Sequence, residues 1–276
     1  MLRPLNRGTG IDNARYRRWL ASFSAYVSQV TRQKVELWLE QFDKADLDVA
    51  ARILDAVMFI GHEQIKTKYR ELLQGLDGWH EDPRHRRGRW YFVPFSGSTG
   101  ESGDSMVHVF RMATAMTRRN YNPLFVHRSE LVSLRLTPED TVILIDDFSG
   151  TGRQATKAWN EVFSEILSEE PRTYLLLVAA TQGAVEKVRE ETDMELICGT
   201  ILDKRHNLFD PLCKYFEDDE KTRIEKYCRK ADRKFPKGSW DAGLLVVFAH
   251  RCPNNSLPIL HADHDDWSGL FPRQFD

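Results

Sequence analysis

The chain has 276 residues, 41% of them hydrophobic and 29% charged, with a formal net charge of -2. This length can bury a sizeable core, as one large domain or as a core with a smaller attachment. A near-neutral balance gives no global attraction to nucleic acid or to an anionic membrane, and neither is an expected partner. The four cysteines, Cys198, Cys213, Cys228 and Cys252, form no Cys-x-x-Cys pair. That spacing argues against zinc and against a disulfide framework, and for reduced thiols in a cytoplasm. The opening Met-Leu-Arg-Pro-Leu-Asn-Arg-Gly lacks the apolar run of a signal peptide, and no segment approaches bilayer length. The expected location is cytoplasmic.

The first third has helical periodicity. Trp19, Leu20, Phe23, Val27 and Val30 recur at helical spacing, and Val35, Trp38, Leu39 and Phe42 continue the pattern. Asp46 is placed to cap a further helix with Val49, Ile53, Val57 and Ile60 on its apolar side. Ile65, Tyr69 and Leu72 carry the pattern to Gln74, where Gly75, Asp77 and Gly78 punctuate it. Core packing explains this stripe. The basic run Arg84-His85-Arg86-Arg87 reads as a solvated linker.

A β/α alternation follows. Trp90 to Phe95 is an aromatic-rich strand, Ser96 to Ser105 a Gly/Ser loop, Met106 to Arg119 a helix and Leu124 to His127 a short strand. Further strands are expected at Thr141 to Ile145, Tyr174 to Ala180 and Leu196 to Leu202. Helices are expected from about Gln154 to Leu167 and from Gly183 to Glu191. Such alternation implies a parallel sheet with helical crossovers. Beyond it, Glu217 to Lys234 reads as a charged, solvent-facing helix and Leu244 to Ala249 as an apolar strand. A Pro/Asn-rich tail then closes the sequence.

The most informative stretch is Val142 to Gln154, Val-Ile-Leu-Ile-Asp-Asp-Phe-Ser-Gly-Thr-Gly-Arg-Gln. Four apolar residues fit a strand buried on both faces. Asp146 and Asp147 stand at its carboxyl end, where open α/β sheets bind ligands. A Ser-Gly-Thr-Gly turn entering a helix presents free N–H groups and the positive end of the dipole, which suits a phosphate. Acidic groups beside it can hold sugar hydroxyls or a metal ion. Sugar phosphate is therefore the first ligand class to consider. The bland alternative is an Asp-capped strand–turn–helix in another α/β fold.

This stretch resembles the type I phosphoribosyltransferase motif: apolar strand, two acidic residues, an apolar residue, two variable residues, Thr-Gly, a variable residue and Thr. Asp146 and Asp147 fill the acidic pair, Phe148 the apolar position, Ser149 and Gly150 the variable pair, and Thr151-Gly152 the Thr-Gly. The final Thr is Gln154 here, an amide that can still donate to phosphate. The resemblance implies that the acidic pair contacts the ribose hydroxyls of phosphoribosyl pyrophosphate and ligates Mg2+. It also implies that Ser149, Gly150, Thr151, Gly152, Arg153 and Gln154 hold the 5-phosphate. By position it makes Ser96, Gly97, Ser98, Thr99, Gly100, Glu101 and Ser102 candidates for a pyrophosphate loop. That loop carries Glu101 and Asp104 and no Lys or Arg, which suits pyrophosphate only with magnesium between them. Arg111 on the next helix is the candidate to compensate. A ligand-binding loop and a structural turn stay equally open.

The segment Arg128 to Asp140, before the motif strand, is shorter than the lid loop of many type I enzymes, leaving little to exclude water. A hydrolytic, altered or absent transfer activity follows as an alternative. In the tail, His261, Asp263, His264, Asp265 and Asp266 form an acidic/histidine cluster without defined metal geometry.

Over most of its length the chain is similar to the phosphoribosyltransferase-like proteins of bacterial conflict systems, PRTase-CE. The likeness rests on the helical front end, Phe148-Ser149-Gly150-Thr151-Gly152, and Pro253-Asn254-Asn255-Ser256-Leu257-Pro258-Ile259 followed by Leu270-Phe271-Pro272-Arg273. That group implies antiphage defence beside an operon-encoded protein partner. The expected architecture is α/β. A helical region over 1–78 precedes a phosphoribosyltransferase-like parallel sheet flanked by helices over 79–204. A hood-like extension over 205–276 packs on that core. The expected function is binding of phosphoribosyl pyrophosphate or a nucleotide-like molecule, with phosphoribosyl transfer and Mg2+ if it is an enzyme. The alternative is a non-catalytic ligand-sensing module that regulates a partner effector.

Overall fold

The computed structural model describes residues 10–95, 102–167 and 171–273. In chain order the first helices are α1 (Asn13–Ser22), α2 (Arg32–Leu39) and α3 (Leu47–Ala56), followed by strand β1 (Met58–Ile60) and α4 (His62–Gln74). Next come β2 (Trp90–Pro94), α5 (Ser102–Ala113), α6 (Arg128–Leu131) and β3 (Thr141–Ser149). Helix α7 (Arg153–Ala158) passes through a π turn (Trp159–Phe163) into α8 (Ser164–Leu167). β4 (Arg172–Thr181), α9 (Gln182–Glu191), β5 (Glu195–Cys198) and β6 (Ile201–Leu202) complete the alternation. The last elements are α10 (Asp218–Ala231), β7 (Val246–Phe248), α11 (Pro258–His261), β8 (Asp263–His264) and β9 (Trp267–Ser268).

The described residues fall into two compact units. One runs up to His62 and resumes at Lys204; the other is Glu63–Asp203. The sequence suggests three regions, but the first helices and the tail share a core and form a single unit. The reason is aromatic packing. Trp19, Phe23, Trp38 and Phe42 bury with Phe216, Leu257, Trp267 and Phe271 in a single cluster. The Trp38 indole donates to the Ile259 carbonyl at 2.7 Å, and the Tyr26 hydroxyl to that of Pro272 at 2.8 Å.

Two local expectations fail in this unit. The helix expected to run through Ile60 stops at Ala56, because Met58–Ile60 pairs in parallel with Val246–Phe248. Three strand residues with a fixed partner outweigh a helical periodicity that the sequence alone would extend. Asp46 does not cap α3 through its side chain. Its carboxylate accepts from Arg223 and from the Tyr227 hydroxyl.

The second unit holds the five-stranded sheet. β2, β3, β4 and β5 lie side by side in that order, β6 continues along β4, and every pairing is parallel. One face packs Tyr91, Val93, Val142 and Leu144 against Trp159 and Phe163 of the π turn and Val188 of α9. On the other face, Phe92 meets Phe110 of α5 at a centroid distance of 4.9 Å, and Phe110 meets Tyr69 of α4 at 5.6 Å. The strand expected at Leu124 to His127 is reduced to one parallel bridge, Phe92 with Phe125. Pro123 inside the preceding 3-10 turn accounts for this, since proline cannot donate to a ladder. The bridge still fixes the chain path. After β2 the chain crosses to the outer side of β2 and returns as β3 on its inner side. Adjacent parallel strands whose connections leave in opposite directions form a switch point, where α/β folds bind ligands.

The start of β3 is anchored by Asp140, whose carboxylate accepts from the Arg89 N–H at 3.0 Å, Arg89 Nε at 2.9 Å and Arg89 Nη2 at 2.6 Å. It also accepts from the N–H and hydroxyl of Thr137. Because Arg89 precedes β2 and Asp140 precedes β3, this pair sets the register of the two strands. Burial alone would raise the Asp140 pKa; the Arg89 guanidinium and the backbone N–H groups outweigh it and hold the carboxyl below its usual range. A lowered folded-state pKa stabilises above the unfolded value and is lost as pH falls through the folded value. Asp140→Asn should therefore lower unfolding free energy by about 1–3 kcal/mol at neutral pH, with the deficit shrinking below about pH 4. Urea denaturation of both proteins across that range checks this; a deficit unchanged at pH 3 would contradict it.

Candidate functional site

β3 outruns β2. Pro94 pairs with Ile145, and the Phe95 N–H donates to the Ile145 carbonyl at 2.9 Å. Beyond Ile145 the described residues give β3 a strand neighbour only on the β4 side, where Asp146 faces Leu177 and Ser149 faces Ala180. The last residues of β3 lie beside the point where the chain leaves β2.

Asp146 and Asp147 occupy that stretch and are 7% and 8% exposed. The Asp147 N–H donates to Asp146 Oδ1 at 2.9 Å, which fixes one oxygen of the first carboxylate. The Tyr69 hydroxyl, on α4, donates to the Asp146 carbonyl at 2.8 Å. Its pKa is pushed far up, first by burial and then by the charges of Asp147 and Asp146, so it remains a neutral donor. Successive strand side chains point to opposite faces. Val142 and Leu144 face the π turn and α9, so the alternation puts Asp147 on the opposite face of the sheet, the one on which Phe92 meets α5.

The turn is built around Gly152. Its φ of +70 makes it the left-handed cap of α7. A Cβ there would lie 3.0 Å from the Ala184 carbonyl and 3.2 Å from Lys187 Cβ, so glycine lets the turn pack directly on α9. Thr181 locks the other side. Its hydroxyl donates to the Gly150 carbonyl at 2.8 Å and accepts from the Ala184 N–H at 3.1 Å, capping α9. The Arg153 N–H reaches Thr151 Oγ1 at 3.4 Å, and the Thr156 N–H bonds the Gly152 carbonyl at 2.8 Å. Ser149, Gly150 and Thr151 are half-buried, while Arg153 and Gln154 are exposed. The π turn then brings Phe163 against Phe95, at 5.8 Å, tying the exit of β2 to the helix after the motif.

The structure therefore brings together Asp146, Asp147 and Ser149 to Gln154. Of the pyrophosphate-loop candidates, Ser96, Gly97, Ser98, Thr99, Gly100 and Glu101 lie outside the described residues, and Ser102 opens α5. Asp104 is exposed in the first turn of that helix. Arg111 sits in the last turn of α5, with its guanidinium on Asn122 Oδ1 at 2.8 Å and over the Phe125 ring at 4.4 Å. Among the described residues no three His, Cys, Asp or Glu side chains converge as a metal cage. In the tail, His264 donates to the Ala231 carbonyl and His261 to that of Ser256.

Sequence reasoning missed three supporting residues. Tyr69 reads as one more apolar position on an amphipathic helix, and only its tertiary placement shows the bond to Asp146. Thr181 follows a strand and precedes a helix, so an N-cap was legible, but its second bond to Gly150 was not. Lys68 donates to the Gly199 carbonyl at 2.7 Å, where the expected strand Leu196 to Leu202 breaks into β5 and β6.

The PRTase-CE family model matches residues 35–273. The chain belongs to the PRTase-CE family. No curated protein matches it. Among solved structures it is similar to the AQ2163 protein from Aquifex aeolicus, at 13% identity and a TM-score of 0.34, over 62% of this chain and 83% of that one. It is also similar to TT1426 from Thermus thermophilus, at 18% identity and a TM-score of 0.21, over 35% of this chain and 42% of that one. At those scores the phosphoribosyltransferase-like fold rests on the family match and on the parallel strand order.

Tyr69→Phe should cost about 1–2 kcal/mol of stability, since it leaves the buried Asp146 carbonyl without that donor. Chemical denaturation measures it. A variant as stable as the wild type would remove Tyr69 as a support of the site.

Proposed function

We propose that the carboxyl end of β3 binds the ribose phosphate portion of phosphoribosyl pyrophosphate or of a nucleotide-like ligand. The observation that carries this reading is the pairing of two buried carboxylates with a Gly152-centred turn at the switch point of a PRTase-CE sheet. Backbone N–H groups of Gly150 to Gln154 would hold the phosphate, and Asp146 and Asp147 the ribose hydroxyls. Mg2+ fits the donor set, because it is commonly held by one or two carboxylates with ligand phosphates completing the shell. Bound there, it would supply positive charge to a departing pyrophosphate. The protein's own groups would fix the sugar and phosphate so that little reorganisation accompanies transfer.

A second reading, a non-catalytic ligand sensor acting on a partner effector, draws on the segment before β3. Between Arg128 and Asp140 the described chain is a short helix, α6, and a turn fixed by Thr137 and Asp140, with no long loop to close over the site. The cytoplasmic, antiphage setting and an operon-encoded partner belong to this proposal through the family. Among the described residues no helix is long and apolar enough to cross a membrane.

Ribose 5-phosphate or phosphoribosyl pyrophosphate with Mg2+ should raise the melting temperature by a few degrees, since ligand at 100 Kd adds about 2.7 kcal/mol to the folded state. Asp147→Asn should melt like the wild type without ligand and lose that rise. Absence of any shift at millimolar ligand would refute the site. Pyrophosphate release from phosphoribosyl pyrophosphate, lost in Asp147→Asn, would select the enzyme; binding without release would select the sensor.

A further inference from the structure

Thr181 stands at the end of β4, the strand beside β3, and its hydroxyl is used twice. It accepts from the Ala184 N–H at 3.1 Å and donates to the Gly150 carbonyl at 2.8 Å. The first bond caps α9, as threonine commonly does at a helix start. The second has no part in the cap, because it reaches 31 residues back along the chain to the turn after β3.

That second bond fixes more than a carbonyl. The Gly150 C=O and the Thr151 N–H belong to one planar peptide, and in the trans form they point in opposite directions. No peptide among the described residues is cis. Holding the carbonyl on Thr181 therefore turns the Thr151 N–H away from Thr181 and from the helix turn that it caps. Gly150 has no Cβ to restrict its own dihedrals, so without an anchor this peptide could rotate. Packing fixes the next glycine instead, since Gly152, at φ +70, lies against Ala184. Both ends of the turn thus rest on the first turn of α9.

Among the described residues, neither the Thr151 N–H nor the Gly152 N–H has a hydrogen-bond partner. Gly152 is buried, and buried residues rarely leave an N–H unpaired. Successive N–H groups in a turn of this kind form a concave anion site. The Arg153 N–H, which comes next, already meets Thr151 Oγ1 at 3.4 Å.

We infer that Thr181 is the positioning residue of the phosphate turn: it aims the Thr151 N–H so that this group and the Gly152 N–H together hold the ligand's phosphate. The inference rests on the reading of the β3 turn as a phosphate site, and adds which donors bind there and what orients them. The anchor is in place before any ligand arrives, so binding does not have to order the turn. A valine at this position keeps the shape of the side chain and loses both bonds. A serine keeps both.

Calorimetric titration with ribose 5-phosphate and Mg2+ tests this on the wild type, Thr181→Val and Thr181→Ser. Thr181→Val should bind about tenfold more weakly, the worth of one charge-assisted hydrogen bond. Thr181→Ser should bind like the wild type. Loss of the α9 cap should also lower the melting temperature of Thr181→Val by a few degrees, so the titrations are run well below it. A capping role alone would give the lower melting temperature with wild-type affinity. Amide hydrogen exchange in the wild type needs no variant; ribose 5-phosphate should slow it at Thr151 and Gly152. Wild-type affinity in Thr181→Val, a loss that Thr181→Ser shares, or unslowed exchange at Thr151 in protein that binds the ligand would each overturn the role of Thr181 and leave the site standing. Absence of binding by the wild type would overturn the site and this inference together.

Discussion

β3 is hydrogen-bonded along both edges from Thr141 to Ile145 and buried from Thr141 to Asp147. A strand held this way has no freedom of register or tilt, so the place where its carboxyl end emerges is set by the sheet. The Asp140–Arg89 pair pins one end, and the Tyr69 hydroxyl with the Asp147-to-Asp146 bond pins the other. Two carboxylates buried without fixed donors would be expensive. The surrounding structure must therefore orient them, and that orientation is what a ligand would meet.

The turn after β3 inherits this rigidity. Gly152 lies against α9 closely enough to exclude a side chain, and Thr181 joins Gly150 to the start of α9. The phosphate-type turn is thus integral to the packing between two strand–helix connections. A substitution at Gly152 would disturb the fold as well as any ligand. Thr151 and Asp147 are the cleaner points at which to separate binding from stability, since the Asp146 carboxylate already holds the Asp147 N–H.

Much of this was legible in the sequence, for identifiable reasons. The run Val142 to Ile145 and the acids and glycines after it specify a buried strand and a left-handed turn almost by composition, and the structure places them as expected. Tyr174 to Ala180 and Gly183 to Glu191 were equally plain, since apolar runs and helical periodicity there agree with what each segment packs on. The failures lie where a distant partner decides. Met58–Ile60 is a strand because Val246–Phe248 lies beside it, and Asp46 turns from its helix to Arg223 and Tyr227. The sharing of one core between the first helices and the tail rests on contacts such as Trp38 to Ile259, which no local pattern records.

The central claim is that the end of β3 is a ribose phosphate site. A crystal structure after soaking with ribose 5-phosphate and Mg2+ tests it most directly. The account predicts density for the phosphate on the N–H groups between Gly150 and Gln154, with the ribose hydroxyls within hydrogen-bond reach of Asp146 or Asp147. Phosphate density elsewhere on the protein, with the β3 turn holding only water at saturating ligand, would contradict it.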